Sequence, residues 1–255
     1  MEFVDTHTHL YLEHFEKDID TAVNNAISAG VKNMLLPNVD LKTIEPMMAL
    51  SAQYPSNCFP MMALHPTSVK EDYKEVLDEI QHHLFNRRFC AVGETGIDLY
   101  WDKTFYKEQV LAFEKHIEWA IKLKLPLVIH SRKSLDPIIE ILKVYKDKNL
   151  TGVFHCYPGN MIQAERVFEL GFYLGIGGVV TYKNSEMSKV VAESPLETML
   201  LETDAPYLPP VPYRGKRNES AYIPVIAEKI AEIKAVEVEK VAGVTTSNAK
   251  QLFGL

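Results

Sequence analysis

A closed (β/α)₈ barrel, formed as a single hydrolase domain over residues 1–255, is the α/β fold class that the sequence predicts. Three observations carry this expectation. Short apolar runs recur along the chain, segments of helical period separate them, and no linker or low-complexity tract divides the 255 residues. That length suits one barrel with a large core.

The eight apolar runs fall at Phe3–Asp5, 33–37, 59–64, 90–93, 125–130, 152–155, Phe172–Ile176 and 198–202. Within 106–124, Tyr106, Val110, Phe113, Ile117 and Ile121 step by three or four, placing one apolar stripe toward a sheet. Asp136 and Pro137, followed by Ile138, Ile139, Ile141 and Leu142, predict a helix with Asp136 as N-cap and proline in its first turn. Gly30 and Gly171 each precede a strand, where a helix end calls for a left-handed residue. Alternation of this kind implies parallel strands, and eight units in one domain favour closure over an open sheet. No Gly-x-Gly-x-x-Gly opens the first helix, which removes the usual dinucleotide-site pattern.

Composition narrows the functional class. Hydrophobic residues at 47% and charged residues at 24% are ordinary for a globular protein. The apolar runs are too short to cross a bilayer, and the first residues carry neither a basic nor an apolar leader. A soluble, cytoplasmic protein without a membrane partner is expected, and no helix stripe asks for a second copy, so a monomer is expected too. Cys58, Cys90 and Cys156 lack metal-type spacing and form no disulfide framework. A net charge of −7 does not suit a protein that coats nucleic acid, but it leaves room for a local phosphate pocket.

The chemistry gathers at strand ends, where barrel enzymes place it. His7 and His9 follow the first run, His65 the third and Glu94 the fourth. His130 ends the fifth, His155 the sixth, and Asp204 follows the eighth. His-x-His alone is common. On an extended strand its two-residue spacing turns both imidazoles to one face, and with five further candidates at strand ends it becomes a chelate. Glu94 can span two cations with its two oxygens, and 88–100 contains no lysine that could bridge in its place. His130 and His155 offer nitrogens for a second metal. Glu202 and Asp204 share a strand face by the same period. Asp204, nearer the mouth, is the better ligand and base, and Glu202 the better orienting group. Asp98 is expected to be a supporting or turn residue. Arg132 suits an anionic substrate, and the stiff loop 209–218 presents Arg214, Lys216 and Arg217 to a polyanion. His14, His82, His83 and His116 are assigned no chemistry.

These residues, in this order, resemble the TatD family of metal-dependent deoxyribonucleases within the amidohydrolase superfamily. The likeness runs from Asp5-Thr6-His7-Thr8-His9-Leu10 to Ser247-Asn248-Ala249-Lys250-Gln251-Leu252-Phe253. Its most specific stretch is Leu201-Glu202-Thr203-Asp204-Ala205-Pro206-Tyr207-Leu208. The resemblance implies a TIM-type barrel with a dinuclear site and 3′–5′ exonuclease activity on single-stranded DNA ends. It implies that His7, His9 and Asp204 hold one metal, that His130 and His155 hold the other, that Glu94 is shared, and that His65 faces the substrate. Departures at Ala63-Leu64, Tyr157-Pro158 and Lys133-Ser134 border the pocket and leave every ligand in place. Mixed nitrogen and oxygen ligands suit Zn²⁺ and Mn²⁺, and the resemblance admits Mg²⁺. A hydrolase cutting a small ester, lactone, amide or phosphotriester could use the same ligands. Arg132 and the basic loop weigh against it, because a neutral substrate has no need of them.

Overall fold

A computed structural model describes residues 1–255. Eight parallel strands follow in chain order: β1 (Phe3–Asp5), β2 (Val31–Leu36), β3 (Cys58–Pro60), β4 (Val92–Asp98), β5 (Leu127–Arg132), β6 (Gly152–Phe154), β7 (Phe172–Ile176) and β8 (Met199–Leu201). Helices α1 (Ile19–Ser28), α2 (Ile44–Gln53), α3 (Tyr73–Asn86), α4 (Tyr106–Leu123), α5 (Leu135–Lys143), α6 (Met161–Glu169), α7 (Glu186–Glu193), α8 (Ile223–Lys234) and α9 (Val238–Phe253) complete the units. No helix is long and apolar enough to cross a membrane.

Ladder bonds order the strands as β1-β2-β3 and β4-β5-β6-β7-β8. Two seams join these arcs into a barrel. At one, Cys90 N–H donates to Pro60 (3.0 Å) and Met62 N–H to Ala91 (3.3 Å). At the other, Thr6 N–H donates to Leu201 (3.0 Å), and a parallel bridge pairs Thr8 with Ala205. One small cluster takes Val4, Leu35, Met61, Ala91, Val128, Val153 and Leu200 from around the ring and closes it below with Ala249 and Phe253 of α9. Val128, Val153 and Leu200 precede His130, His155 and Glu202 by two residues, so the apolar floor continues upward into polar side chains on the same strand faces.

The expected runs locate all eight strands, with two instructive differences. β4 and β5 run on to Asp98 and Arg132, so Glu94 and His130 lie within strands rather than at their ends. Polarity would stop β4 at Gly93, yet all seven of its residues are buried, because β5 and the site supply partners for Glu94 and Asp98. β1 and β3 are correspondingly short. His7, His9 and His65 stand beyond them, outside any strand.

The stripe from Tyr106 forms α4, and Gly30 (φ 93°) and Gly171 (φ 78°) take the left-handed conformation expected of them. The expected N-cap at Asp136 is corrected. α5 begins at Leu135 with Ser134 at the cap position, and the Asp136 carboxylate instead accepts from Arg166 (2.6 Å) and Gln163 (2.9 Å) of α6.

His116, on α4, is 0% exposed and holds the site from behind. Its Nδ1 donates to the Ala112 carbonyl (2.7 Å), and its Nε2 accepts the Leu64 N–H (3.1 Å), the amide just before His65. Burial lowers its pKa from 6.5 to about 4. Since the folded-state value lies below the unfolded one, the unfolded chain binds the additional proton and acid favours unfolding. The contribution of neutral His116 is complete above pH 6.5 and is lost as pH falls toward 4. Denaturant melts at pH 7 and pH 5 should show the wild-type chain losing about 2 kcal/mol more than His116→Gln over that interval. Equal losses would remove His116 from this role.

Candidate metal centre

Glu94 stands at the centre of the barrel mouth, and its two oxygens face different sets of imidazoles. Oε2 lies 3.1 Å from His7 Nε2 and 3.7 Å from His9 Nε2. Asp204 Oδ1 completes this side, 3.8 Å from His7 Nε2 and 3.6 Å from His9 Nε2. Oε1 lies 2.9 Å from His130 Nδ1, 3.4 Å from His155 Nε2 and 3.3 Å from His65 Nε2. Five of the expected strand-end histidines therefore converge on the Glu94 carboxylate, and Asp204 joins them through His7 and His9. Backbone geometry aims the last of them: Asp204 takes a left-handed conformation (φ 56°) that Asp adopts more readily than most residues, and its N–H donates to the His7 carbonyl (2.9 Å).

Outer hydrogen bonds decide which imidazole nitrogen presents a lone pair. Tyr11 donates its hydroxyl to the Pro37 carbonyl, so it accepts from His9 Nδ1 (2.8 Å) and leaves His9 Nε2 free to ligate. Asp98 Oδ2 accepts from His130 Nε2 (2.8 Å), which turns the His130 Nδ1 lone pair inward. Glu202 Oε1 lies 3.2 Å from His155 Nδ1 as an ion-pair partner, which favours the proton on Nδ1 and leaves Nε2 toward the centre, and it accepts the Cys156 N–H (2.6 Å). Gly175 makes room for it, since a Cβ there would meet Glu202 Oε2 at 2.3 Å. His65 is opposite in kind. Its Nδ1 accepts the Thr67 N–H (3.2 Å), and the Thr67 hydroxyl, 2.6 Å away, can donate to the same nitrogen, a pairing that leaves the proton on Nε2. His65 thus offers a donor to the centre, although its nitrogen lies close enough to group with Glu94 and His130.

Opposite charges balance among these side chains. Burial alone would raise the Glu94 carboxyl, but His65, His155 and His7 outweigh it and hold it well below the usual range. Burial opposes protonation of His155, yet Glu202, Glu94 and Asp204 raise its pKa to about 10, so a cation binding at Nε2 would displace a proton. At Asp98, the bond from His130 and two backbone N–H groups overcome burial and bring the carboxyl to about 2.

A cavity of about 660 Å³ opens above Glu94, walled by Leu12, Val39, Trp101, Pro158, Tyr207 and Leu208 among others. Arg132 is the one Lys or Arg side chain lining it, and it pairs with no carboxylate. Its guanidinium lies 3.9 Å from the Tyr100 ring centroid. Neighbouring Ser131 also lines the cavity, and its buried hydroxyl has no partner within the protein.

The basic loop divides. Arg214 rests over Tyr182 (4.5 Å), and Lys216 is exposed; neither lines the cavity. The expectation for Arg217 is corrected, because its guanidinium is already engaged. It donates to both Asp18 oxygens (2.7 Å each), to Glu219 (3.0 Å) and to the His14 carbonyl (2.7 Å), which ties the loop to the start of α1.

Tyr11 and Thr67 escaped the sequence reading as positioning groups. The sequence does carry a trace of Tyr11, which continues the two-residue period of His7 and His9. Nothing local marks Thr67, which meets His65 Nδ1 through both its backbone N–H and its hydroxyl.

The residues present fit divalent cations. His7 Nε2 and His9 Nε2 face each other at 3.3 Å, which neutral lone pairs tolerate only with a cation or proton between them. Donor atoms from His7, His9 and Glu94, and from His7, His155 and Asp204, lie within 4.8 Å of one another, close to the spacing of ligands sharing an ion at ~2.1 Å.

Comparison with known proteins gives the same picture. The family model described as "TatD related DNase" matches residues 4–254. The chain is 35% identical over 250 residues to a Bacillus subtilis (strain 168) protein called "Uncharacterized metal-dependent hydrolase YabD", covering 98% of each. It is similar to the crystal structure of YjjV, a TatD homologue from Escherichia coli K12, with a TM-score of 0.93, 29% identity, and coverage of 99% of this chain and 98% of that one. The phosphotriesterase homology protein from Escherichia coli shares the fold, with a TM-score of 0.69 at 13% identity, over 99% of this chain and 98% of that one.

If Glu202 fixes the His155 lone pair, Glu202→Gln should weaken binding of one divalent ion by roughly 10- to 100-fold while leaving the fold intact. Competition with a chromophoric chelator measures this directly. An unchanged affinity would show that Glu202 serves only the Cys156 backbone.

Proposed function

The chain belongs to the family of TatD-related DNases, and on that premise we propose that it is a metal-dependent deoxyribonuclease removing nucleotides from the 3′ ends of single-stranded DNA. One observation carries the proposal: two sets of inward lone pairs share Glu94 beneath a cavity whose one lining Lys or Arg, Arg132, is unpaired. An anionic substrate satisfies Arg132, whereas a neutral ester leaves it idle.

Two divalent ions, with Mg²⁺, Zn²⁺ and Mn²⁺ as the candidates, would be held by His7, His9 and Asp204 on one side and by His130 and His155 on the other, with Glu94 between. Such ions, when bound, lower the pKa of a water and neutralise charge on a phosphate. Asp204 is the most open of the central carboxylates, with a side chain 15% exposed against 3% for Glu94. It takes the proton of the water that attacks phosphorus, in line with the departing sugar oxygen. His65 directs its Nε2–H toward a phosphate oxygen, a polarity that Thr67 imposes. Arg132 grips the phosphate with its fork, and Arg214 and Lys216 draw the strand toward the rim. Because the apolar core floors the cavity, a chain end can enter where a continuous strand cannot pass through.

End-labelled single-stranded DNA should be shortened stepwise from its 3′ end, with all cleavage lost in EDTA. Asp204→Asn should lower turnover by roughly 100-fold or more while retaining DNA binding. Near-normal turnover in that variant would remove Asp204 from its role. Intact DNA from a folded, metal-loaded enzyme would redirect the search to esters and lactones.

A further inference from the structure

Trp101 is 68% exposed, the most exposed aromatic side chain in the protein, and it lines the same cavity as Glu94. An indole left in water forfeits the burial that normally holds such a side chain. Here its backbone is pinned. Asp98 Oδ1 accepts the N–H groups of Tyr100 (2.8 Å) and Trp101 (3.0 Å), while Oδ2 of the same carboxylate holds His130. The ring packs edge-to-face on Tyr100 (5.0 Å between centroids), and the Arg132 guanidinium lies 5.3 Å from its centroid. One carboxylate thus registers an exposed aromatic face against both the unpaired cation and the metal-facing imidazole.

Topology supplies the other wall. Trp101 follows β4 and Tyr207 follows β8, four strands apart in a ring of eight, so the two aromatics rise from opposite sides of the mouth. Tyr207 is 47% exposed and also lines the cavity.

We propose that Trp101 is a stacking platform for the nucleobase of a nucleotide flanking the scissile phosphate, with Arg132 beside it taking that nucleotide's phosphate. The proposal rests on the nuclease reading and extends it to substrate form. A base can lie on Trp101 only when it has left its partner strand, so the platform selects unpaired ends over duplex ends. Every base presents a face to stack, so the platform adds little preference for sequence.

The test compares a single-stranded oligodeoxynucleotide ending in ordinary nucleotides with versions that carry an abasic tetrahydrofuran residue at the terminal or penultimate position. For wild type, kcat/KM should fall roughly 5- to 100-fold at one of those positions. Trp101→Ala should erase that discrimination and Trp101→Phe should restore most of it. Since Trp101 is exposed, neither variant should disturb folding. A binding readout stands apart from cleavage. Trp119 is the one other tryptophan and is buried, so quenching of exposed-tryptophan fluorescence by dAMP, but not by deoxyribose 5-phosphate, reports stacking on Trp101. Cleavage with full base discrimination in Trp101→Ala, or equal quenching by both probes, overturns the platform and leaves the nuclease intact. Quenching by dAMP alone, with all DNA uncut, overturns the nuclease and retains the base site.

Discussion

Glu94 is a carboxylate buried at the mouth of a closed barrel, and such a group survives away from water only if positive or hydrogen-bonding partners surround it. His7, His9, His65, His130 and His155 come to it from β1, β3, β5 and β6 or from the chain just beyond them. A ring of parallel strands is what brings these segments together, because every strand ends on the same rim. Loosening the closure at Thr8 and Ala205 would separate His7 and His9 from Asp204, since the same backbone exchange joins both.

The centre is also built into the fold that carries it. Asp98 orients His130 and fixes the loop bearing Trp101; Glu202 orients His155 and holds the Cys156 amide; Asp5 accepts both the N–H and the hydroxyl of Thr203, joining β1 to the turn before Asp204. Each group serves an imidazole or a backbone turn, and none faces solvent. A barrel optimised for stability alone would fill these positions with apolar side chains. The polar interior instead fixes lone-pair directions, which is what ion binding requires.

Charge is arranged locally rather than globally. The protein carries a net −7, yet Arg132 at the cavity, and Arg214 and Lys216 on the loop after Asp204, lack acidic partners. Arg132 and Arg214 lie on tyrosine rings, which steadies a guanidinium without neutralising it. Arg217, with Asp18 and Glu219 around it, shows what full pairing looks like a few residues away.

By itself the sequence determined the barrel and its central donor set. Eight apolar runs separated by helical periods imply a parallel closed sheet, and polar residues just past apolar runs are legible because local hydrophobicity stops there. What tertiary structure decided is which donor meets which acceptor, near or far along the chain. It assigned the proton of His65 through Thr67, put Tyr11 behind His9, took Arg217 out of the cavity, and moved the α5 cap from Asp136 to Ser134. These outcomes depend on partners that lie from 2 to 199 residues apart, and a hydrophobic pattern records burial without recording partners.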